Sequence, residues 1–506
     1  MTAPSLSERT AQLVAHAQAV YRGTPDEPRL NEVGQRLRSP LRVAVAGRVK
    51  SGKSTLLNAL IGERLAPTDA GECTRVVTWY TDGHTYRVTV TLTDGSSRPV
   101  RFDRDDDALD VDLAGLDPDR LERIDVMWPS RALRRCTLVD TPGIGSLSEQ
   151  LSRRAWDLLA DAEQETPADA VLYLMKHLHR DDLEFLADFH DTEVSRPHPV
   201  NAIGVLSRAD EIAAGRLDAM DSAGRIARRL AADPDVRRVA QTVVPVAGLL
   251  AQTATTLTEH EVKQLRVVAE QPARVVELLL LSADRFVESE PGLGLTSLER
   301  MRLLDRLGLY GIRLAARTLR QSTGATASEL ARDLAAVSGL DGLHEVLGTL
   351  FLERSEVLKS RSALLAVEAL TRRRPVSGAA ALAAETEQIM AGAHPFHELR
   401  VLSALRAGWV SAGPQVLADL ERVVGGAGQS AVVRLGLPPE ADSEAQRRAA
   451  RQALLAWQCR AESPMSPREL VVASRVAIRS CEGLLADLDP RRPAAGLRPS
   501  TERVVE

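Results

Sequence analysis

Lysine is scarce in this chain: only Lys50, Lys53, Lys176, Lys263 and Lys359 occur, against 59 arginines. Two of the five lie within one short loop. Cysteine is scarcer still. Cys73, Cys136, Cys459 and Cys481 are scattered and form no C-x-x-C pair. That excludes a paired-cysteine zinc site and a disulfide framework, and it fits a reducing cytosol. Long apolar runs are absent. The longest aliphatic burst, VVELLLL at 275–281, falls well below the ~18–20 residues that span a bilayer, so any membrane contact is expected to be peripheral. The opening MTAPSLSERT has no basic stretch leading into an apolar one, and no secretory signal is visible. There is no excess of positive charge either. A net charge of −5 gives no reason to expect nucleic acid. The chain is expected in the cytoplasm.

What is present is enough for at least two cored domains: 506 residues, 44% hydrophobic and 26% charged. Ser5-Leu6-Ser7-Glu8 fits a capping box at a helix start, and Leu13, Val14, Ala17, Val20 and Tyr21 recur at helical spacing. A second helix is expected from Leu30 to Leu37. From residue 41 short β-rich runs take over: LRVAVAG, VVTWY, YRVTVTL, RIDVMW, CTLVD, AVLYLM, AIGVLS and VVPVAG. Asp94-Gly95 marks a hairpin between TVTL and RPVRF. Helical stretches separate several of these runs, which predicts a mostly parallel sheet flanked by helices. Beyond about residue 250 the strand signals fade. Leu343, Val346, Leu347, Leu350, Val357, Leu358, Leu364 and Leu365 predict one helical stripe packed in a bundle. The expected order is helices over 1–40 that return to pack on the C-terminal helices, an α/β domain over 41–255, and a long α-helical remainder over 256–506.

Gly47-Arg48-Val49-Lys50-Ser51-Gly52-Lys53-Ser54 fits G-x-x-x-x-G-K-[S/T], follows an apolar strand and opens a helix. Gly47 and Gly52 let the backbone curl so that N–H groups face phosphate oxygens, and the helix N-terminus adds partial positive charge. Lys53 is expected to reach the β- and γ-phosphates and Ser54 to hold Mg²⁺, with Ser51 and Thr55 in the same phosphate-binding set. In LVDTPG, Asp140 ends an apolar strand and can bind the Mg²⁺ shell, while the Gly143 N–H can sense the γ-phosphate. In GVLSRADE, Ser207-Arg208-Ala209-Asp210 stands where GTP-binding proteins carry [N/T]-K-x-D. The Asp210 carboxylate can accept from guanine N1–H and the 2-amino group, donors that adenine lacks there, at roughly 1.5–3 kcal/mol per charged bond. The Arg208 stem can cover the base. In PVAGLLA, Ala247 and Gly248 are placed to offer backbone N–H to guanine O6. Thr74 is the preferred switch threonine for Mg²⁺ and catalysis. Thr78 is the competitor and reads better as a strand residue. These motifs predict an α/β P-loop GTPase domain.

Taken together, GRVKSGKST-LLNALIG, PTDAGECTRVVT, DTPG, SRADE and the helical C-terminal half resemble the bacterial branch of the dynamin superfamily. The stretches YRGTP, APTDA…TRVVTW, SRADEI and VVPVAGLLA are most similar to actinobacterial isoniazid-inducible IniC-like GTPases. The resemblance implies a G domain on a helical neck and stalk and Mg²⁺-dependent GTP hydrolysis. It also implies association with itself or with a paired dynamin-like protein. Finally, it implies peripheral remodelling of anionic lipid at the inner face of the cell membrane. A GTP-regulated assembly scaffold without fission or fusion activity is the alternative. Eukaryotic dynamins carry a water-positioning glutamine and a cation-binding serine where this chain has Val49 and Lys50. Lys50 can therefore supply the charge that others recruit as a monovalent cation; a solvent-facing lysine and a contact across a dimer are the other readings.

Two stretches remain open. His177, His179, Asp181 and Asp182 in MKHLHRDDLEF read as a surface loop, a G-domain dimer contact or, least economically, a metal cluster. The arginines of TRRRPVSGAAALAA over 371–384 read as a lipid contact, at about 1 kcal/mol each near anionic lipid, or as a solvated inter-helix loop. The glycine-rich break at 425–429 is a competing tip.

Overall fold

The chain enters its sheet through LRVAVAG, strand β1 (Leu41–Gly47), which is buried along almost its whole length. Val43 and Val45 point into one core cluster, and Ala44 and Ala46 into another. That is the two-sided burial of a central parallel strand, with successive side chains alternating between faces. The computed structural model describes residues 4–66, 76–105, 108–113, 116–117, 120–142, 168–179, 182–183, 186, 201–288, 293–322, 324–406 and 408–489.

The other strands are β2 (Val77–Thr81), β3 (Arg87–Leu92), β4 (Ser97–Val100), β5 (Phe102–Asp105), β6 (Ala108–Val111), β7 (Leu121–Met127), β8 (Cys136–Asp140), β9 (Ala170–Met175), β10 (Ala202–Ser207) and β11 (Val243–Val246). Nine form one sheet in the order β11-β10-β9-β1-β8-β2-β7-β3-β4. β8, β1, β9, β10 and β11 run parallel. β2 is antiparallel to β8 yet parallel to β7. β5 and β6 make a separate two-stranded ribbon, so RPVRF is not one strand: β4 ends at Val100 and β5 begins at Phe102.

Among the described residues, the helices of eight or more residues are α1 (Leu6–Val20), α2 (Glu27–Arg38), α3 (Lys53–Ile61), α4 (Ala219–Ala232), α5 (Gly248–Thr256), α6 (Glu259–Glu270), α7 (Ser297–Gln321), α8 (Ala327–Val337), α9 (Leu340–Leu347), α10 (Ser355–Arg373), α11 (Ala379–Gly392), α12 (His394–Arg406), α13 (Pro414–Val423), α14 (Ser443–Glu462) and α15 (Arg468–Asp487). Val14–Ala379 forms one compact unit. The described residues of Met1–Leu13 and Ala380–Glu506 form another.

In the larger unit, α2 is held at both ends. Arg36 and Asp169, both buried, pair at 2.7 Å, and the other Asp169 oxygen accepts the Arg42 N–H at 2.9 Å. Lys359 on α10 donates to the Leu37 and Ser39 carbonyls, each at 3.0 Å, satisfying orphan acceptors at the helix end. The arginine cluster after α10 is engaged within the same unit. Arg373 and Arg374 each reach Asp26 at 2.6 Å, and Arg372 pairs with Glu368. The expected 343–365 stripe is not a single helix. A π-turn over Gly348–Leu352 separates α9 from α10. Leu343 and Leu347 before the break, Leu350 and Phe351 within it and Leu358 after it all join the same core cluster as the sheet residues Leu138 and Leu172.

In the smaller unit, α14 and α15 pack as a helical hairpin, and α12 and α13 lie against α15. The Ser5–Glu8 capping box closes at 2.8 and 3.2 Å. Glu398 is buried and accepts from Ser480 Oγ at 2.6 Å and from Arg434. Burial raises its pKa, but bonds from His394, Arg434 and Ser480 more than offset this and leave it lowered.

Candidate nucleotide-binding site

The turn from β1 into α3 carries the phosphate-loop sequence, and two glycines make its shape possible. Gly47 has φ 145°, and a Cβ there would stand 2.4 Å from the Leu174 carbonyl oxygen on β9. Gly52 caps α3 at φ 91°, a conformation that side-chain-bearing residues rarely adopt. Lys53 folds back over the loop and donates to the Gly47 and Arg48 carbonyls, each at 3.1 Å. Burial lowers the Lys53 pKa, and the Asp140 charge opposes that shift.

Asp140 ends β8 beside β1, in register with Val45. Burial pushes its carboxyl up to about 6, against the Lys53 charge and the Thr141 N–H. Among the described residues, its Oδ1 is buried without a hydrogen-bond partner, and so is Ser51 Oγ. A buried acceptor left unpaired costs about 1–3 kcal/mol. Unpaired oxygens beside a P-loop lysine fit a site for a cation and a polyphosphate. Ser54 and Thr55 occupy the first turn of α3. Thr78 lies opposite Asp140 in the β2–β8 pairing, buried, with its hydroxyl directed at the Val76 carbonyl at 3.4 Å. That is the strand role expected of it. Thr74 and Gly143 lie outside the described residues.

The base corner is assembled from the ends of β10 and β11. A cavity of about 130 Å³ lies between Ser51, Gly52 and Thr55 on one side and Ser207, Arg208 and Asp210 on the other, with Gly248 and Leu249 closing it. Asp210 is only 6% exposed. Burial pushes its carboxyl up to about 6; Glu211 adds to this, while its own N–H, Arg208 and Lys176 oppose it. Arg208 adopts φ 51°. Its guanidinium reaches Glu211 at 2.6 Å, and Lys176 Nζ reaches the other Glu211 oxygen at 2.5 Å. Among the described residues, Ser207 Oγ is buried without a partner. Ala247 and Gly248 do not share one role. Ala247 is fully buried and donates its N–H to the Ser338 carbonyl at 2.8 Å, so Gly248 is the one of the pair that lines the cavity.

Val49 and Lys50 form the crest of the loop, both exposed. Lys50 adopts φ 62°, which costs a side-chain-bearing residue about 1–2 kcal/mol. It makes no hydrogen bond or ion pair among the described residues.

Two residues of the site escaped the motif reading. Asp182 is 1% exposed and accepts from Arg48 Nε at 3.0 Å, Tyr173 Oη at 2.6 Å and the His179 N–H at 2.9 Å. It thus holds the second residue of the phosphate loop, whose carbonyl receives Lys53. From the MKHLHRDD stretch, Asp182 therefore supplies a buttress; Asp181 lies outside the described residues, which contain no group of three metal-ligating side chains. Asn58 on α3, fully buried, binds the Leu65 and Ala66 N–H groups at 2.8 and 2.7 Å and the Ala66 carbonyl at 2.9 Å. It fixes the start of the segment that leads to Thr74. Only the buried amide within LLNALIG hints at this.

A mostly parallel sheet with a phosphate-loop sequence after β1, a buried carboxylate after β8 and another after β10 has the layout of a P-loop nucleotide-binding protein. Residues 43–209 match the dynamin family. The chain belongs to that family of GTPases. Within it, this is a bacterial dynamin-like, IniC-like protein. It is 38% identical to isoniazid-induced protein IniC of Mycobacterium tuberculosis over 496 residues, which cover 96% of this chain and 100% of that protein. Isoniazid-induced protein IniA of the same organism is 29% identical over 245 residues, 47% of this chain and 35% of that protein. A bacterial dynamin-like protein of Nostoc punctiforme is 48% identical over 62 residues, 12% of this chain and 9% of that protein. A solved structure described as "An oligomerised bacterial dynamin pair provides a mechanism for the long range sensing and tethering of membranes" aligns with 94% of this chain and 90% of that chain. The identity is 12% and the TM-score 0.31, too loose for residue-by-residue comparison.

Proposed function

We propose that this protein binds and hydrolyses GTP with Mg²⁺, and that the nucleotide cycle drives association with itself or with a second dynamin-like chain at an anionic membrane surface, which it remodels. One observation carries the nucleotide assignment: Asp210, buried in the cavity wall opposite the phosphate loop. Beyond its own backbone N–H, this carboxylate can take two donors from a guanine edge, at roughly 1.5–3 kcal/mol per charged bond. Adenine offers neither.

The phosphate loop amides and Lys53 bind and orient the triphosphate. Ser54, Asp140 and Thr74 are the residues that would hold Mg²⁺, which supplies Lewis-acid neutralisation of the phosphate oxygens. Arg208 covers the base, Gly248 offers its N–H to the base carbonyl, and the Gly143 N–H senses the terminal phosphate. Lys50 adds a fixed positive charge at the loop crest. Among the described residues no helix is long and apolar enough to cross a membrane, which supports peripheral contact. In this reading 41–255 is the G domain, and 1–40 with 256–506 form the neck and stalk.

The test is GTP turnover with and without anionic liposomes, together with vesicle co-sedimentation and tubulation. The expected result is measurable turnover that rises on vesicles, lost in Lys53→Ala. Turnover unaffected by Lys53→Ala overturns the phosphate-loop assignment. Turnover without any vesicle binding overturns membrane remodelling and leaves a GTP-regulated assembly protein.

A further inference from the structure

The base corner rests on helices that follow the nucleotide domain, and the contacts are close. The Ser338–Gly339 turn between α8 and α9 abuts the β11–α5 loop. Ser338, fully buried, takes the Ala247 N–H on its carbonyl at 2.8 Å. Its own hydroxyl donates to the Ala335 carbonyl at 2.7 Å and accepts the Leu340 N–H at 3.2 Å, which fixes the turn. Gly339 has φ 80°, and a Cβ there would stand 2.2 Å from the Pro245 carbonyl oxygen. The obstacle is backbone, so no side chain can rotate out of the way. A second contact comes from α7, which kinks at Gly308 (φ 63°, ψ 176°). A Cβ at Gly308 would lie 3.5 Å from Asp210 Oδ2. All of these helical residues lie beyond the 43–209 segment that matches the dynamin family.

We propose that Gly339 and Gly308 are positioning residues for base recognition: their bare backbones let the helical segment hold Pro245–Gly248 and Asp210 where guanine is read. The proposal rests on the GTP reading above. It makes the selectivity of the site depend on where α7, α8 and α9 stand, although none of them lines the cavity with a side chain. Neither Gly339 nor Gly308 has a residue of the phosphate loop among the nearest atoms to an added Cβ. Displacing the helical supports should therefore weaken recognition of the base while sparing the polyphosphate.

Calorimetric titration of the full chain with Mg²⁺ and GTP, ATP or inorganic tripolyphosphate separates the two effects. In Gly339→Ala, GTP binding is expected to weaken at least tenfold, while tripolyphosphate binding stays within twofold and the preference for GTP over ATP collapses. Gly342→Ala on α9, where an added Cβ meets nothing within 4 Å, should change none of these. If Gly339→Ala does not fold, Gly308→Ala carries the test: its added methyl meets Asp210 Oδ2 at ordinary contact distance, so the perturbation comes from the φ 63°, ψ 176° backbone at the α7 kink, which a side-chain-bearing residue rarely adopts. A threefold or larger loss for GTP alone is expected. Unchanged GTP-to-ATP preference in the folded variant, or equal losses for GTP and tripolyphosphate, overturns the proposal. A wild-type protein that binds GTP and ATP alike overturns the GTP reading itself.

Discussion

Replacing Asp210 by asparagine should make the free protein more stable and the GTP complex weaker. Asp210 is 6% exposed, and burial raises its carboxyl from 3.8 to about 6. A shift of roughly two units at about 1.4 kcal/mol each places the cost of holding this charge at pH 7 near 3 kcal/mol. The sign follows from proton binding. Between the unfolded value near 4 and the folded value near 6, the folded chain holds the proton and the unfolded chain has lost it. The group's contribution to stability is therefore fully present below 3.8 and is lost as pH rises through 6. The substituted amide carries no charge and avoids the penalty at every pH. The variant should thus be more stable by up to about 3 kcal/mol at pH 7, with the advantage roughly halved at pH 5 and mostly gone by pH 4.

Binding runs the other way. Two charged hydrogen bonds at roughly 1.5–3 kcal/mol each are made by the aspartate and not by the amide. Even the low end, about 3 kcal/mol in total, weakens GTP roughly a hundredfold. Thermal unfolding of both proteins at pH 7, 5 and 4, with and without GTP and Mg²⁺, reads both effects, and calorimetry with GTP and xanthosine triphosphate reads base choice. The free variant should melt higher at pH 7, gain less from GTP, and prefer the xanthine nucleotide. A variant that melts lower at pH 7, a difference independent of pH, or unchanged GTP affinity would refute the reasoning.

Lys50 should make turnover insensitive to the monovalent cation; comparison in K⁺, Na⁺ and choline decides, and strong K⁺ stimulation would sink the built-in cation. Lys50→Gly should lower turnover while gaining about 1 kcal/mol of stability through release of the left-handed backbone. Asp182→Ala strips Arg48 and Tyr173 of their shared acceptor, at about 1–3 kcal/mol, and should raise the Kd for GTP about tenfold, with Tyr173→Phe intermediate; unchanged affinity would reduce the buttress to a packing detail. Asp169→Ala leaves Arg36 charged and buried, which costs about 3–5 kcal/mol. Denaturant unfolding that shows a loss below about 1 kcal/mol would contradict the clamp on α2.

The sheet was legible because its information is local. Central strands that are buried on both faces read as short apolar runs, and LRVAVAG, AVLYLM and AIGVLS announce themselves without reference to the rest of the chain. The places of GRVKSGKS and Asp210 in the fold were legible for the same reason, since each is a residue type at a fixed offset from a strand end. The π-turn at Gly348–Leu352 was not legible: the leucine spacing continues across it, and residues before, within and after it join the same core cluster. MKHLHRDD was ambiguous because its outcome depends on Arg48, far upstream, and the same letters suit a metal site or a bare loop.

The Ala247–Gly248 pair shows where motif reading stops in physical terms. A motif says that a backbone N–H in this loop faces the base; it cannot say which one is already taken. The Ala247 N–H is spent on Ser338, a residue reached only after α5, α6, α7 and α8 have been laid down. Every buried amide needs an acceptor, so assigning this loop is a problem of accounting over the whole unit. The same accounting gives the helical segment a hold on base recognition. If the Ser338 carbonyl moves, Ala247 must either follow it or be left unpaired at a cost of about 1–3 kcal/mol. Gly248, next in the chain, moves with it.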